Sequence, residues 1–275
     1  VDKGKMNIFV NEKERTVEKG ATAFEVRSFF KADADVVILN GHLIGTDMPL
    51  KNGDKISLIK KGEIPPADEL ESLLVSRHTP GVHDKMKKAR IAVAGLGGLG
   101  SNIAVSLARM GAGDMLLVDY DVVEPSNINR QQYFVDQIGM KKTDALRVSL
   151  ERINPYASYT YKDIFLTEEN TADIFKDYDV IIEAIDKAET KAMIIRECAA
   201  KCRESFIIGA SGLAGYADTS VISVRFAGRM AIVGDFVNEA KPGQGLMAPR
   251  VAVAANIQAN LAVRYILGDL QEVKK

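Results

Sequence analysis

The apolar positions of the first sixty residues change period twice. Residues 6–10 alternate as a strand does, Asn11-Glu12-Lys13 interrupts them as a turn, and residues 14–17 predict a returning strand. Phe24, Val26, Phe29 and Phe30 then fall on a helical stripe over residues 23–31. Strands follow at 36–39, stopped by Asn40-Gly41, and at 55–60, introduced by Asn52-Gly53-Asp54. The order is hairpin, helix and two further strands.

A different pattern begins after Pro65-Pro66, where two fixed φ angles disfavour helix and mark a linker. A short helix is predicted over 68–76, with an acidic first turn and Leu70, Leu73 and Leu74 on one side, leading into the second domain. Then come a strand at 90–94, glycines at 95, 97, 98 and 100, a helix at 101–110 and a strand at 114–118 ending at Asp119. A continuous apolar strand follows at 180–182, the pattern loosens beyond Ile207, and an Ala-rich helix over 251–267 closes the chain. Strands that are apolar without alternation, separated by helices, belong to a parallel sheet covered on both faces. The expected fold class is α/β: a Rossmann-like doubly wound sheet preceded by a small β-grasp, or ubiquitin-like, domain. The expected boundaries are 6–63 for the first domain, 64–75 for linker and short helix, and 76–270 for the second.

Composition narrows the function classes. In 275 residues, 36 Lys and Arg oppose 37 Asp and Glu, so no overall field recruits nucleic acid or an anionic membrane. No apolar run reaches the roughly 20 residues of a membrane helix, and Val1–Lys5 lacks a signal-peptide apolar region; it reads as an extension ahead of a native start at Met6. Cys198 and Cys202, four apart on a helix, are too few for a four-ligand zinc site and read as free buried thiols in a cytoplasmic protein. His42, His78 and His83 show no ligand spacing and are expected at the surface.

The glycine turn carries the first chemistry. Gly95, Gly97 and Gly100 between a strand and a helix permit a tight turn, let backbone approach a polyphosphate and aim a helix N-terminus at it. Alone this means a nucleotide, and an NAD-linked dehydrogenase fits as well as an ATP enzyme, since Asp119 lies about 20 residues on, where an acid holds ribose hydroxyls. The segment 119–131 separates the two, because an enzyme handling triphosphate uses an Arg such as Arg130 for planar multi-donor contacts and an Asn such as Asn127 to fix the loop or reacting group. Lys142, opening the next helix, adds a second cation. Asp121 and Glu124 read equally as loop acids or as metal charge, and Asp186 also suits a helix N-cap.

At these residues the chain resembles the ThiF, MoeB and HesA family of ubiquitin-activating-type adenylyltransferases. The matches are the glycine turn, Asp119-x-Asp121 with Ser126-Asn127-x-x-Arg130-Gln131, Gly139-x-x-Lys142, Arg152-Ile153-Asn154-Pro155 and Glu183-Ala184-Ile185-Asp186, over roughly residues 75 to 268. The resemblance implies ATP and Mg²⁺ as cofactors. Gly95, Gly97, Gly98 and Gly100 would cradle phosphates, Asp119 would hold the ribose, Asp121 would belong to the cofactor-binding set, and Ser126, Asn127, Arg130 and Lys142 would contact phosphate or adenylate. Asp186 would hold Mg²⁺, and Arg77 would reach across a homodimer into the partner's site. At Val37–Leu43 and Asn52–Ile59 the first domain resembles the sulfur carrier ThiS, but it runs into Lys60-Lys61-Gly62-Glu63 without a terminal diglycine. The substrate implied is therefore a separate ThiS-like carrier, adenylated in thiamine thiazole biosynthesis, with the fused domain serving docking, regulation or dimer stability. The family's paired Cys-x-x-Cys zinc ligands have no counterpart, the later pair being replaced near Lys241–Gly245, and residues 228–247 lack the sulfur-transfer cysteine. Adenylation without a covalent enzyme intermediate is expected, with an apolar or hydrogen-bonded closure in place of zinc. Two alternatives remain: an enzyme of tRNA modification resembling threonylcarbamoyladenosine dehydratases, and a non-catalytic module that binds nucleotide and carrier.

Overall fold

The computed structural model describes residues 4–76, 78–238 and 245–270, and the chain divides into two compact units, Val1–Thr79 and Pro80–Lys275. In the first, β1 (Lys5–Val10) and β2 (Lys13–Glu18) form a hairpin. Its turn holds Asn11 and Glu12 at φ 46° and 63°, the positive values that a tight hairpin matching strand twist demands. Helix α1 (Ala23–Phe30) starts at Thr22, whose side chain accepts from Glu25 N while Glu25 accepts from Thr22 N, a reciprocal cap. Strands β3 (Val36–Leu39), β4 (His42–Leu43) and β5 (Lys55–Ile59) complete a sheet ordered β2-β1-β5-β3-β4. Only the central β1–β5 pair is parallel.

Met6, Ile8, Val26, Val37, Ile56 and Leu58 fill this small core. The stripe on α1 departs from the expected one: Ala23 and Val26 are buried, whereas Phe29 is 83% exposed and meets only the edge of Phe30 among aromatics. Ala23, Val26 and Phe30 keep the 3-and-4 spacing of one helix face, and Phe29 is rotated off it. After β5 the chain continues into α2 (Ala67–Val75), which is tied back to the first hairpin. Asn11 Nδ2 donates to Glu69 Oε1 at 2.7 Å, and Lys13 pairs with Asp68.

The second unit runs α3 (Val82–Lys88), β6 (Arg90–Ala94), α4 (Gly98–Arg109), β7 (Asp114–Asp119), α5 (Lys142–Ile153), β8 (Ser158–Asp163), α6 (Thr171–Phe175) and β9 (Val180–Glu183). It continues with α7 (Ala188–Lys201), β10 (Phe206–Ala210), β11 (Ser223–Ala227), β12 (Met230–Gly234) and α8 (Ala248–Leu267). The sheet is ordered β11-β12-β10-β9-β6-β7-β8, parallel throughout except for β11. One face packs Met86, Ile103, Leu107, Leu146, Leu150 and Leu261 from α3, α4, α5 and α8; the other packs Phe175, Ile194 and Cys198 from α6 and α7.

From β6 the chain moves to β7 on one side and later to β9 on the other. That reversal opens a crevice at the carboxyl ends of β6, β7 and β9, where open parallel sheets bind ligands. No helix among the described residues is long and apolar enough to cross a membrane. His83 corrects the expectation of surface histidines: it is 8% exposed, its ring 3.2 Å from where a Cβ on Gly111 would stand. His78 is half-buried, and His42 is exposed as expected.

The two cysteines are free and buried. Burial, then the neighbouring sulfur, pushes the Cys198 thiol up, and burial raises Cys202. Alkylation by a thiol reagent at pH 8 should therefore be slow in the native protein and fast in denaturant; equal rates in both states would contradict the packing described.

Candidate functional site

Two glycines of the turn are fixed by sterics alone. Gly95 has φ +91°, and a Cβ there would stand 2.7 Å from Ile185 Cδ1. A Cβ on Gly100 would lie 1.8 Å from the Gly95 carbonyl oxygen, so helix and strand approach as only glycine allows. Gly97 differs, since the nearest atom to its Cβ position is Gln131 Nε2 at 3.9 Å. Its surroundings leave room for a ligand. Helix α4 begins at Gly98 with no side-chain cap, leaving first-turn N–H groups aimed outward.

Asp119, 8% exposed at the end of β7, is engaged twice. Oδ2 accepts from Leu96 N at 2.6 Å and Oδ1 from Asp121 N at 2.8 Å. The carboxylate that was expected to hold ribose braces the glycine turn, and each oxygen keeps a lone pair for a further donor. Tyr133 OH donates to Leu96 O at 2.8 Å, holding the same residue by its other backbone group. Burial, with Asp119 and Asp121 nearby, raises this phenol well above its ordinary range and keeps it a donor.

The segment after Arg130 is stitched to the turn. Asn102 Nδ2 donates to Gly98 O at 2.7 Å and Arg130 O at 3.2 Å, while its Oδ1 accepts from Gln132 Nε2 at 2.7 Å. Ser101 Oγ donates to Gly97 O at 2.7 Å and accepts from Gln132 N at 3.1 Å. The Arg130 stem consequently runs over the loop, its Cγ 3.5 Å from the Cβ position of Gly98. Its Nη1 donates to Ser126 O and Asn129 Oδ1 at 3.1 and 2.8 Å, and its buried Nε has no partner. Asn127, 7% exposed, accepts from Glu124 N at 3.1 Å and closes a 3-10 turn over Pro125–Asn127. Ser126 is exposed and donates to Glu124 Oε2 at 3.3 Å.

Lys142 is 6% exposed, and its Nζ lies 2.8 Å from Asp121 Oδ2. Its own N–H bonds Asp121 O at 2.9 Å, so backbone and side chain both fasten α5 to the loop after β7. Asp186 is exposed beyond β9. It is not a cap: Lys187 occupies the N-cap position of α7 and makes no side-chain cap bond. The segment carrying Asp186 is set from beneath by Glu183, fully buried, which accepts from Ile185 N at 2.6 Å and from Lys191 Nζ at 3.0 and 2.8 Å. Burial raises the Glu183 carboxyl against the opposing pull of Lys191. Arg77 and most of Lys241–Gly245 lie outside the described residues.

Further round the carboxyl edge, Arg250 and Asp235 make an ion pair, 2% and 3% exposed at their side chains. Arg250 also donates to the carbonyls of Ala217 and Asp218, and Asp235 accepts from Val237 N and Asn238 N at 2.9 and 2.8 Å. The pair fastens the loops after β10 and β12 to the first turn of α8. Asn102, Gln132, Tyr133, Asp235 and Arg250 were not singled out from sequence. Ser101-Asn102 and Gln131-Gln132-Tyr133, directly continuing the two recognised motifs, were the available signal for three of them.

The ThiF family profile matches residues 71–275, and the profile for ThiS-like ubiquitin matches residues 6–62. Among curated proteins, the tRNA threonylcarbamoyladenosine dehydratase of Haemophilus influenzae is 35% identical over 149 residues, 54% of this chain and 56% of that protein. The molybdopterin-synthase adenylyltransferase of the same organism is 33% identical over 116 residues, 42% of this chain and 48% of that protein. The chain thus spans about half the length of these relatives. Among solved structures, the E. coli tRNA N6-threonylcarbamoyladenosine dehydratase TcdA superposes with a TM-score of 0.67 at 23% identity, covering 77% of this chain and all of that one. A complex of TcdA with ATP gives a TM-score of 0.66, covering 72% of this chain and 94% of that chain, again at 23% identity. These superpositions concern the fold. With the family profile covering most of its length, the chain belongs to the ThiF family.

Proposed function

We propose that the second unit binds ATP and uses it to adenylate a carboxylate, giving an acyl-adenylate and pyrophosphate. The observation that carries this reading is the Arg130 segment, tied through Asn102 to the same helix turn that opens on the glycine loop. A guanidinium held by Ser126 O and Asn129 Oδ1, on a stem that passes the glycine turn, with Lys142 on the next helix, suits charge developing at a phosphorus centre. The carboxylate oxygen bonds to the α-phosphorus as the bond to the bridging oxygen breaks, and pyrophosphate leaves with that electron pair. Asn127 and Ser126 shape the loop that carries Arg130, and Asp119 takes the ribose hydroxyls. Arg77 is assigned a role across a homodimer. No protein nucleophile is required.

Mg²⁺ suits Asp186, since this ion is commonly held by one or two carboxylates together with substrate phosphates rather than by a protein cage. Among the described residues no group of three or more His, Cys, Asp or Glu side chains could hold a metal ion. When bound, the ion would neutralise phosphate charge.

The acceptor we favour is a separate ThiS-like carrier with a free C-terminal diglycine, in a cytoplasmic thiamine-type pathway. The ThiS-like match over residues 6–62 supports a carrier-handling protein. The fused domain is not itself that substrate, because its last strand continues into a chain clipped back by Asn11 and Lys13. A second reading, adenylation during tRNA modification, is favoured by the similarity to the H. influenzae dehydratase. ATP/[³²P]pyrophosphate exchange separates the readings. Exchange dependent on a diglycine-ended carrier supports the first, ATP consumption dependent on tRNA the second, and nucleotide binding without turnover would overturn both.

A further inference from the structure

We propose that the Tyr133 hydroxyl is a positioning group, which locks the peptide between Leu96 and Gly97 in the orientation that presents its N–H to a polyphosphate; this rests on the nucleotide reading above. A peptide that leads into glycine is easily inverted, because glycine takes either sign of φ at little cost. Gly97 sits at φ −75°, and nothing comes nearer to its Cβ position than Gln131 Nε2 at 3.9 Å. Crowding at this residue therefore does not decide between the two orientations.

Two side chains decide it. Asp119 Oδ2 accepts from Leu96 N at 2.6 Å and fixes the peptide before this residue, while Tyr133 OH donates to Leu96 O at 2.8 Å and fixes the peptide after it. That second peptide is trans, so its C=O and N–H point in opposite directions. With Leu96 O turned toward a phenol that is 4% exposed, Gly97 N–H is turned away from it, and among the described residues it meets no acceptor. It joins the open N–H groups at the start of α4, which begins at Gly98 without a side-chain cap. Burial keeps the phenol protonated, and so a donor. Tyr133 also lies three residues past Arg130, on the segment that Asn102 ties to the turn. One hydroxyl thus aims the phosphate-facing amide and holds the Arg130 segment in register with it, acting through the backbone and not by contact with the ligand.

Tyr133→Phe removes one oxygen and keeps the ring. The test titrates the full chain and this variant with inorganic tripolyphosphate, ATP and adenosine, and compares their urea midpoints. Tyr133→Phe should bind tripolyphosphate and ATP more weakly by about two- to tenfold, the scale of one hydrogen bond, while adenosine affinity stays unchanged. In ¹⁵N-glycine-labelled protein the Gly97 amide resonance, identified by its absence from Gly97→Ala, should move when tripolyphosphate saturates the unmodified chain and move less in Tyr133→Phe. A lower urea midpoint with polyphosphate affinity and the Gly97 response intact is what a merely structural hydroxyl gives, and it would overturn the lock. An equal weakening of adenosine would overturn it as well, by showing a general deformation of the site. If the unmodified chain binds neither ATP nor tripolyphosphate, the lock falls together with the reading beneath it. Hydroxyl-dependent polyphosphate binding without pyrophosphate exchange would keep the lock and remove the adenylation reading alone.

Discussion

Lys142→Ala is expected to reduce carrier-dependent pyrophosphate exchange by about 10²- to 10³-fold, the usual scale for removing one group that stabilises developing charge. The structure explains why folding should survive the change. Lys142 is 6% exposed, but its carboxylate partner Asp121 is half-open to solvent, so water can replace the lost ammonium. The backbone bond from Lys142 N to Asp121 O is also untouched, keeping α5 in place. Exchange and the urea midpoint measured on one preparation decide the matter: unchanged exchange removes the role given to Lys142, and a collapsed midpoint makes it structural. Asp121→Asn keeps the shape of the pair and serves as the control.

Arg250→Ala should cost about 3–5 kcal/mol of stability, as expected for one partner of a buried ion pair. Three losses coincide: the Asp235 carboxylate keeps its burial without a counter-ion, and the carbonyls of Ala217 and Asp218 lose their donor. Substituting both partners with apolar residues would not restore stability, because the bond that Val237 N gives to the Asp235 carboxylate would be lost as well. The same network has an acid signature. Burial alone would raise the Asp235 carboxyl, but the Asn238 amide and side chain, Val237 N–H and the Arg250 guanidinium outweigh it and bring the pKa down to about 2. A group whose folded pKa is depressed stabilises the fold above its unfolded value and loses that contribution as pH falls through the folded value. Between about pH 4 and pH 2 the native protein should lose roughly 2 kcal/mol from this carboxylate. Urea unfolding across that window should show a shallower acid limb in Arg250→Ala; parallel limbs would assign the acid sensitivity elsewhere.

What could be read from the residues alone follows from how far apart the cooperating groups lie. The glycine turn, Asp119 and Arg130 announce themselves because each motif is local and its chemistry needs particular residue types at fixed short spacing. The ties between motifs do not. Asn102 reaches Arg130 across 28 positions, and Arg250 reaches Asp218 across 32, contacts set by the packing of α4 and α8 rather than by periodicity. Strand β8 escaped for another reason: Ser158–Asp163 lies at the sheet edge and is half-exposed, so it lacks the continuous apolar run that marked β9. Strands β10 to β12 escaped because Gly209, Gly212 and Gly234 interrupt the region with turn residues. Phe29 was misplaced because five apolar residues in eight fit more than one helical face, and only the packing of Ala23 and Val26 in the core chooses among them.

The room around Gly97 bears on how variation in this protein would be detected. Gly95 and Gly100 are crowded by the chain itself, so any side chain there disturbs the fold whether or not a nucleotide is present. Gly97 is crowded by nothing nearer than 3.9 Å. A library screened for folding alone would pass substitutions at Gly97 and discard those at its two neighbours in the motif, while one screened for nucleotide-dependent thermal shift would discard all three. The difference between the two screens separates the glycines kept for the fold from the one kept for the ligand.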